Sequence, residues 1–252
     1  MKKNFFLVAI FISMACTLQQ KNKIKIFIAG DSTAANKEVK AYPETGWGMP
    51  FTYFFDSSVS VDNRAKNGRS TKSFISEGLW KKLIDDVNEG DYVLIQFGHN
   101  DEAKEKGDRY STPEEFKANL VKFISETRNK KANPVLLTPV SRRQFDSVGN
   151  VRQTHAVYSP LVREVAKQYN VPLIDLDELS RALYQKFGPE NSKLLFMQLE
   201  PGENPNYPEG RNDNTHFNEL GARKIAQLVL WGLKDLKLDV ANRIRQPLEV
   251  KK

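Results

Sequence analysis

"IFIAGDSTAAN", residues Ile26 to Asn36, runs apolar as far as Ala29 and turns polar at Asp31, and that switch governs how the rest of the chain is read. The apolar part does not alternate with polar residues, which marks a strand covered on both faces. Gly-Asp-Ser-Thr then places small, hydrogen-bonding residues where the chain must reverse. Ser32 has two readings here: a turn or helix cap, or a reactive hydroxyl just beyond the carboxyl end of a strand. Taken alone the stretch favours the cap.

Four further Ile-, Val- and Leu-rich runs follow: Val59–Val61 extending to Ala65, Tyr92–Phe97, Pro134–Val140 and Val171–Leu176. Helical patterns separate them, at Ser70–Val87, Pro113–Lys130, about Ser159–Tyr169, Asp177–Phe187 and Asn218–Leu236. The clearest begins with Thr112 as cap, Pro113 at the first helical position and Glu115 completing a capping box. Strand and helix alternate throughout, so the expected fold class is α/β, a three-layer α/β/α sandwich on a five-stranded parallel sheet. In such sheets ligands bind outside the carboxyl ends of the strands. Two stretches stay unassigned, Ser141–Tyr158 and Leu194–Asn214, and both can reach that edge.

The 252 residues are 40% hydrophobic, enough for one full-sized core. The N-terminus reads separately. Lys2 and Lys3 precede the apolar run Phe5–Met14, and Ser13-Met14-Ala15 supplies small residues for cleavage, so residues 1–15 read as a signal peptide and the protein as exported. Ten apolar residues are too few to span a hydrocarbon core of about 30 Å. Cys16, the single cysteine, directly follows that site, where a bacterial lipoprotein carries its lipid, although Ser13 departs from the usual leucine. The expectation is a lipid anchor and membrane attachment at Cys16, with plain cleavage as the alternative, a short linker over 16–22 and a catalytic domain over 23–252. A lone cysteine excludes an internal disulfide.

Net charge is +7, and +5 once Lys2 and Lys3 are removed. The cations are dispersed along helices and no recognition motif appears, which argues against nucleic acid and for an acidic polysaccharide. The expected state is a monomer. With no HExxH and no clustered His or Cys, neither a metal nor another cofactor is expected.

Three polar stretches accompany the opening one: "NRAKNGRS" after the second strand, "FGHND" after the third, and "NDNTHF" before the last helix. Together they supply an acyl-transfer set. A serine hydroxyl needs an adjacent base, and three histidines are available: His99, His155 and His216. Asp213, three residues before His216, is placed to hold its ring in the tautomer that faces the serine. The expected catalytic residues are Ser32, His216 and Asp213. The expected oxyanion donors are the backbone N–H groups of Ser32 and Gly68 and the side-chain amide of Asn100.

"GDST", "NGRS", "GHND" and "DNTH" resemble the four blocks of the SGNH (GDSL-type) hydrolase superfamily. "ETGWGMPF", "NRAKNGRSTKSF", "TPVSRRQF" and "THFNELGARKIA" are similar to rhamnogalacturonan acetylesterases, the resemblance running from about Lys23 to Leu236. It implies a flavodoxin-like fold, a Ser32 nucleophile, a His216 base oriented by Asp213, and an oxyanion hole including Gly68 and Asn100. It also implies removal of O-acetyl groups from a plant cell-wall polysaccharide, rhamnogalacturonan first. Acetyl-xylan, another GDSL-type esterase or lipase activity, and a non-catalytic glycan-binding lipoprotein are the alternatives.

Substrate contacts are less defined. Trp47 and Tyr42 are candidate sugar platforms, although an aromatic in "GWGMP" also suits core packing. Arg142, Arg143 and Arg152 follow the fourth strand and suit the carboxylates of galacturonate, since a guanidinium matches a carboxylate bidentately. His155 is a candidate wall of the site. His99 has no carboxylate partner in sequence and is expected to order its loop.

Overall fold

The structure, a computed structural model, describes residues 23–246. The expected signal peptide over 1–15, the linker over 16–22 with Cys16, and residues 247–252 lie outside the described residues. In chain order the elements are β1 (Ile24–Gly30), α1 (Gly48–Phe51), β2 (Val59–Asn63), α2 (Thr71–Ser76), α3 (Leu79–Asp86), β3 (Tyr92–Gln96), α4 (Pro113–Asn129), β4 (Asn133–Leu137), α5 (Tyr158–Gln168), β5 (Leu173–Ile174), α6 (Leu176–Asn191), β6 (Phe196–Leu199), β7 (Arg211–Phe217) and α7 (Glu219–Asp235).

Strands β1 to β5 form one parallel sheet in the order 2-1-3-4-5. Alternate residues of each strand enter opposite layers, as the period of two requires. Ile26, Ile28, Leu94, Val135 and Leu137 face α1, α6 and α7, meeting Phe51, Tyr184, Ile225 and Val229. Phe27, Ala29, Val93, Ile95 and Leu136 face α2 to α5, meeting Phe74, Leu83, Phe123 and Val165. Burial on both sides explains the continuous apolar runs, and the three-layer expectation holds.

Local signals placed the helices well where caps are strong. Thr112 Oγ1 accepts from the Glu115 N–H at 3.2 Å and Glu115 returns the bond to Thr112 N–H at 2.9 Å, closing the expected box at the head of α4. The expected single helix over Ser70–Val87 is instead two, α2 and α3. Gly78 between them adopts a left-handed φ of 70°, which lets the chain turn and restart. A hairpin that the sequence pattern did not reveal, β6 paired antiparallel with β7, stands apart from the main sheet. Phe196 and Phe217 anchor it to the α6–α7 side of the core, their rings 5.1 Å apart.

The chain entering α7 packs backbone to backbone on the segment before β6. A Cβ on Gly221 would lie 1.8 Å from the Leu195 carbonyl oxygen. Gly221→Ala therefore sets a helix-propensity gain of at most about 1 kcal/mol against overpacking that costs about 1–3 kcal/mol. The expected outcome is net destabilisation, seen as a lower midpoint of chemical denaturation with an unchanged denaturant slope.

Candidate active site

Parallel strands bring the turns after β1, β2 and β3 to one edge of the sheet, and the hairpin closes over it. Ser32 occupies the turn after β1. β7 carries both Asp213 and His216. Asp213 Oδ1 accepts the backbone N–H groups of Thr215 at 2.8 Å and His216 at 3.0 Å, so the carboxylate is fixed by its own chain. Its Oδ2 receives His216 Nδ1 at 2.8 Å and Arg211 Nη2 at 2.9 Å. His216 Nε2 lies 2.9 Å from Ser32 Oγ, across 184 positions of sequence.

Partial burial alone would raise the Asp213 carboxyl, but the bonds and charge of His216 and Arg211 outweigh it and hold Asp213 well below the usual carboxylate range. With Asp213 ionised, the ring proton sits on Nδ1. The Nε2 lone pair is left to accept from the Ser32 hydroxyl. A carboxylate, imidazole and hydroxyl so aligned can move a proton off the serine as it attacks a carbonyl.

The three turns are cross-tied. Lys37 Nζ donates to Ser32 O and to Asn67 Oδ1, both at 2.7 Å, and pairs with Glu44 at 2.7 Å. This links the first turn to the second, where Gly68 follows Asn67. Asn100 Nδ2 donates to Arg69 O at 3.0 Å, linking the third turn to the second. Ser32, Gly68 and Asn100 thus share one sheet edge, beside His216 and Asp213.

Asp31 was not assigned a role from sequence, yet its buried carboxylate organises the site. Oδ1 accepts the Thr33 N–H at 2.9 Å and hydroxyl at 2.7 Å, and Oδ2 faces His99 Nδ1 at 3.2 Å. Burial alone would raise this carboxyl; His99 and Thr33 outweigh it and keep it at about 2. Burial pushes the His99 imidazole down to about 4 in spite of Asp31, so near neutral pH the ring is uncharged and donates from Nδ1. The expectation that His99 lacks a carboxylate partner is corrected: Asp31 is brought to it by the adjacency of β1 and β3.

Two candidate substrate contacts lie in the core. Trp47 is fully buried, its indole N–H donating to Gln96 Oε1 at 2.8 Å and its ring edge-on to Phe51, so no sugar can stack on it. His155 is also fully buried, with Nδ1 3.0 Å from Glu102 and Nε2 3.1 Å from Val140 O, and its ring packs on His99. Both are corrected to structural residues. Nearby Arg142 is half-buried and committed to Glu102 at 2.6 Å. Arg143 is also half-buried, but its bonds go to neutral acceptors: Ser192 Oγ, Asn214 Oδ1 and Pro189 O. Tyr42 stays half-exposed and donates to Glu219.

With this geometry in place, similarity to known proteins is specific. The GDSL-like lipase/acylhydrolase family model matches residues 28–224. The chain belongs to that family. It is 42% identical over 224 residues to the rhamnogalacturonan acetylesterase RhgT of Bacillus subtilis, covering 89% of this chain and 95% of the relative. It is 35% identical to the probable rhamnogalacturonan acetylesterase YesY of the same organism, covering 87% and 96%. The crystal structure of the B. subtilis protein YxiM superimposes with a TM-score of 0.73 at 27% identity, covering 86% of this chain; the chain spans 58% of that protein. This GDSL-family protein is therefore a carboxylic ester hydrolase with the SGNH hydrolase fold.

Next to Asn100 in this enzyme, Asp101 is buried with Oδ1 accepting from Thr71 N–H and from the Ser111 hydroxyl, both at 2.9 Å, while Oδ2 has no hydrogen-bond partner among the described residues. Burial raises its carboxyl to about 7, only partly offset by those bonds. The folded state therefore holds this proton between about pH 4 and 7 while the unfolded chain releases it, so Asp101 makes stability fall as pH rises through that window. His99, depressed to about 4, acts oppositely: the unfolded chain binds the extra proton, and stability rises with pH up to about 6.5. In Asp101→Asn the His99 slope is unmasked. Denaturation from pH 4 to 7 should show the variant gaining stability relative to wild type as pH rises.

Proposed function

We propose that the enzyme is a carbohydrate esterase that removes O-acetyl groups from an acidic pectic polysaccharide of the rhamnogalacturonan type, with Ser32 as nucleophile. The observation that carries the reading is the 2.9 Å contact between Ser32 Oγ and His216 Nε2, with Asp213 behind the ring at 2.8 Å. Ser32 Oγ attacks the acetyl carbonyl as His216 takes its proton. The resulting oxyanion is met by the N–H groups of Ser32 and Gly68 and by the Asn100 amide. Collapse breaks the bond to the sugar oxygen, which leaves with the proton from His216, and acetyl-Ser32 results. Water then attacks that ester, His216 again taking the proton, and acetate departs as the proton returns to Ser32 Oγ.

The substrate assignment is supported by the rhamnogalacturonan acetylesterase relatives. The reading includes export, with Cys16 as lipid acceptor, supported by the apolar run Phe5–Met14 and the small residues before the cysteine. A panel of acetylated rhamnogalacturonan, xylan and mannan, assayed for released acetate, tests the substrate. Fastest release from xylan or mannan would overturn the pectic assignment.

Ser32→Ala should lower kcat/KM on an aryl acetate about 10⁴-fold or more, and a Ser32→Ala, His216→Ala double variant should lose little beyond the single one, because the residues act as a unit. Asn100→Ala should cost about 10²–10³-fold in kcat. Activity retained in Ser32→Ala would remove the nucleophile assignment.

A further inference from the structure

Beside the β6–β7 hairpin lies a cleft of about 560 Å³, walled by Arg143, Lys193, Gln198, Asn212, Asn214 and Arg211 and rimmed by Glu200 and Glu209. The cleft borders the reactive site through Arg211, which lines it and donates to Asp213 Oδ2 at 2.9 Å, while the side chains of Asn212 and Asn214 fall on the face of β7 opposite Asp213. Nearly every wall residue is a hydrogen-bonding side chain, which is the surface a polyol needs rather than a lipid.

Its charges are not equivalent. Lys193 pairs with Glu190 at 2.8 Å and Arg211 pairs with Asp213 at 2.9 Å. Arg143 makes no ion pair among the described residues. Its Nε and Nη1 donate to Ser192 Oγ at 2.9 Å and Asn214 Oδ1 at 2.8 Å, and Nη2 donates to Pro189 O, so the guanidinium is rigidly held by uncharged acceptors. Three of its five N–H groups are used and two are left. Glu190, the acidic residue that acts on it at longer range, is engaged with Lys193. A half-buried, pre-positioned cation without its own counter-ion favours an anionic ligand, and a guanidinium suits a carboxylate.

The remaining groups specify what carries that carboxylate. The exposed Asn212 carboxamide makes no hydrogen bond within the described residues, and Gln198 donates to Asn214 from Nε2, leaving its Oε1 open. Glu200 and Glu209, both exposed, can accept from hydroxyl groups but would repel a dense polyanion. One carboxylate set among hydroxyls answers all of these groups at once.

We propose that this cleft is the subsite for a uronate residue of the polysaccharide, its carboxylate on Arg143 and its hydroxyls on Asn212, Gln198 and the acidic rim. The subsite rests on the acetylesterase reading and adds to it a position for the acidic sugar relative to the acetylated one. It also separates Arg143 from Arg142, whose charge is already matched by Glu102.

The test compares kcat/KM on an acetylated, uronate-containing oligosaccharide with kcat/KM on the same oligosaccharide after methyl esterification of its carboxyl groups. The ratio cancels any loss common to both substrates. Arg143→Gln should lower the charged-over-methylated ratio about 10- to 100-fold, chiefly through KM, as expected for loss of a charge-assisted pair. Lys193→Glu, an exposed reversal at the cleft wall, should lower it about fivefold, and less at high salt. An unchanged ratio in Arg143→Gln overturns the subsite; should that variant fail to fold, Lys193→Glu decides by the same criterion. A wild-type enzyme that deacetylates both oligosaccharides equally well overturns the carboxylate subsite while leaving the acetylesterase reading intact. One that hydrolyses an aryl acetate but neither oligosaccharide overturns both.

Discussion

The Asp31 carboxylate, without solvent contact one residue before Ser32, sets the terms for everything around the site. An ionised carboxylate taken out of water is tolerated only when its oxygens are fully bonded. Thr33 supplies two donors from the same turn and His99 a third from the turn after β3. Those bonds shape the bend that presents Ser32 and hold the β1 and β3 turns at a fixed separation. Gln96, at the end of β3, extends the tie by bonding Thr33 and the Trp47 indole. Trp47, the aromatic residue that follows this turn, therefore serves as a rigid backing for it.

Charge is handled in two ways within a short distance. Asp31 and Asp101 are buried, the first kept ionised by donors and the second driven towards its neutral form by burial that its donors do not offset. Asp213 is only partly buried and receives a backbone cradle, His216 and Arg211, so it holds its charge. Its position on a strand, fixed by pairing with β6, makes the Asp213–His216 unit a rigid edge that meets Ser32 across a single hydrogen bond. The same strand then continues into the wall of the Arg143 cleft, so the group that would orient the base and the groups that would hold the sugar chain share one support.

Legibility in the sequence followed the range of the interactions. The continuous apolar strands, the Thr112–Glu115 capping box and the three-residue spacing from Asp213 to His216 depend on neighbours in the chain, and each was readable there. The β6–β7 hairpin was not. Its β7 residues, Arg211 to Thr215, are polar and exposed or half-exposed, so no hydrophobic period announces a strand; pairing with β6 and the Phe196–Phe217 anchor create it. The break at Gly78 was hidden for the opposite reason, because helical spacing continues on both sides of it.

The sequence by itself determined the layered α/β class, the family, and the residue types gathered at the carboxyl ends of the strands. Those properties arise from local periodicity and from short motifs. Only the tertiary structure decided which residues meet: Ser32 with His216, 184 positions apart, Asp31 with His99, 68 apart, and Arg142 with Glu102, 40 apart. It also decided that Trp47 and His155 belong to the interior and that, among the described residues, the Arg143 guanidinium is held by uncharged acceptors. Burial and ion pairing are properties of the packed surroundings, and no spacing along the chain encodes them.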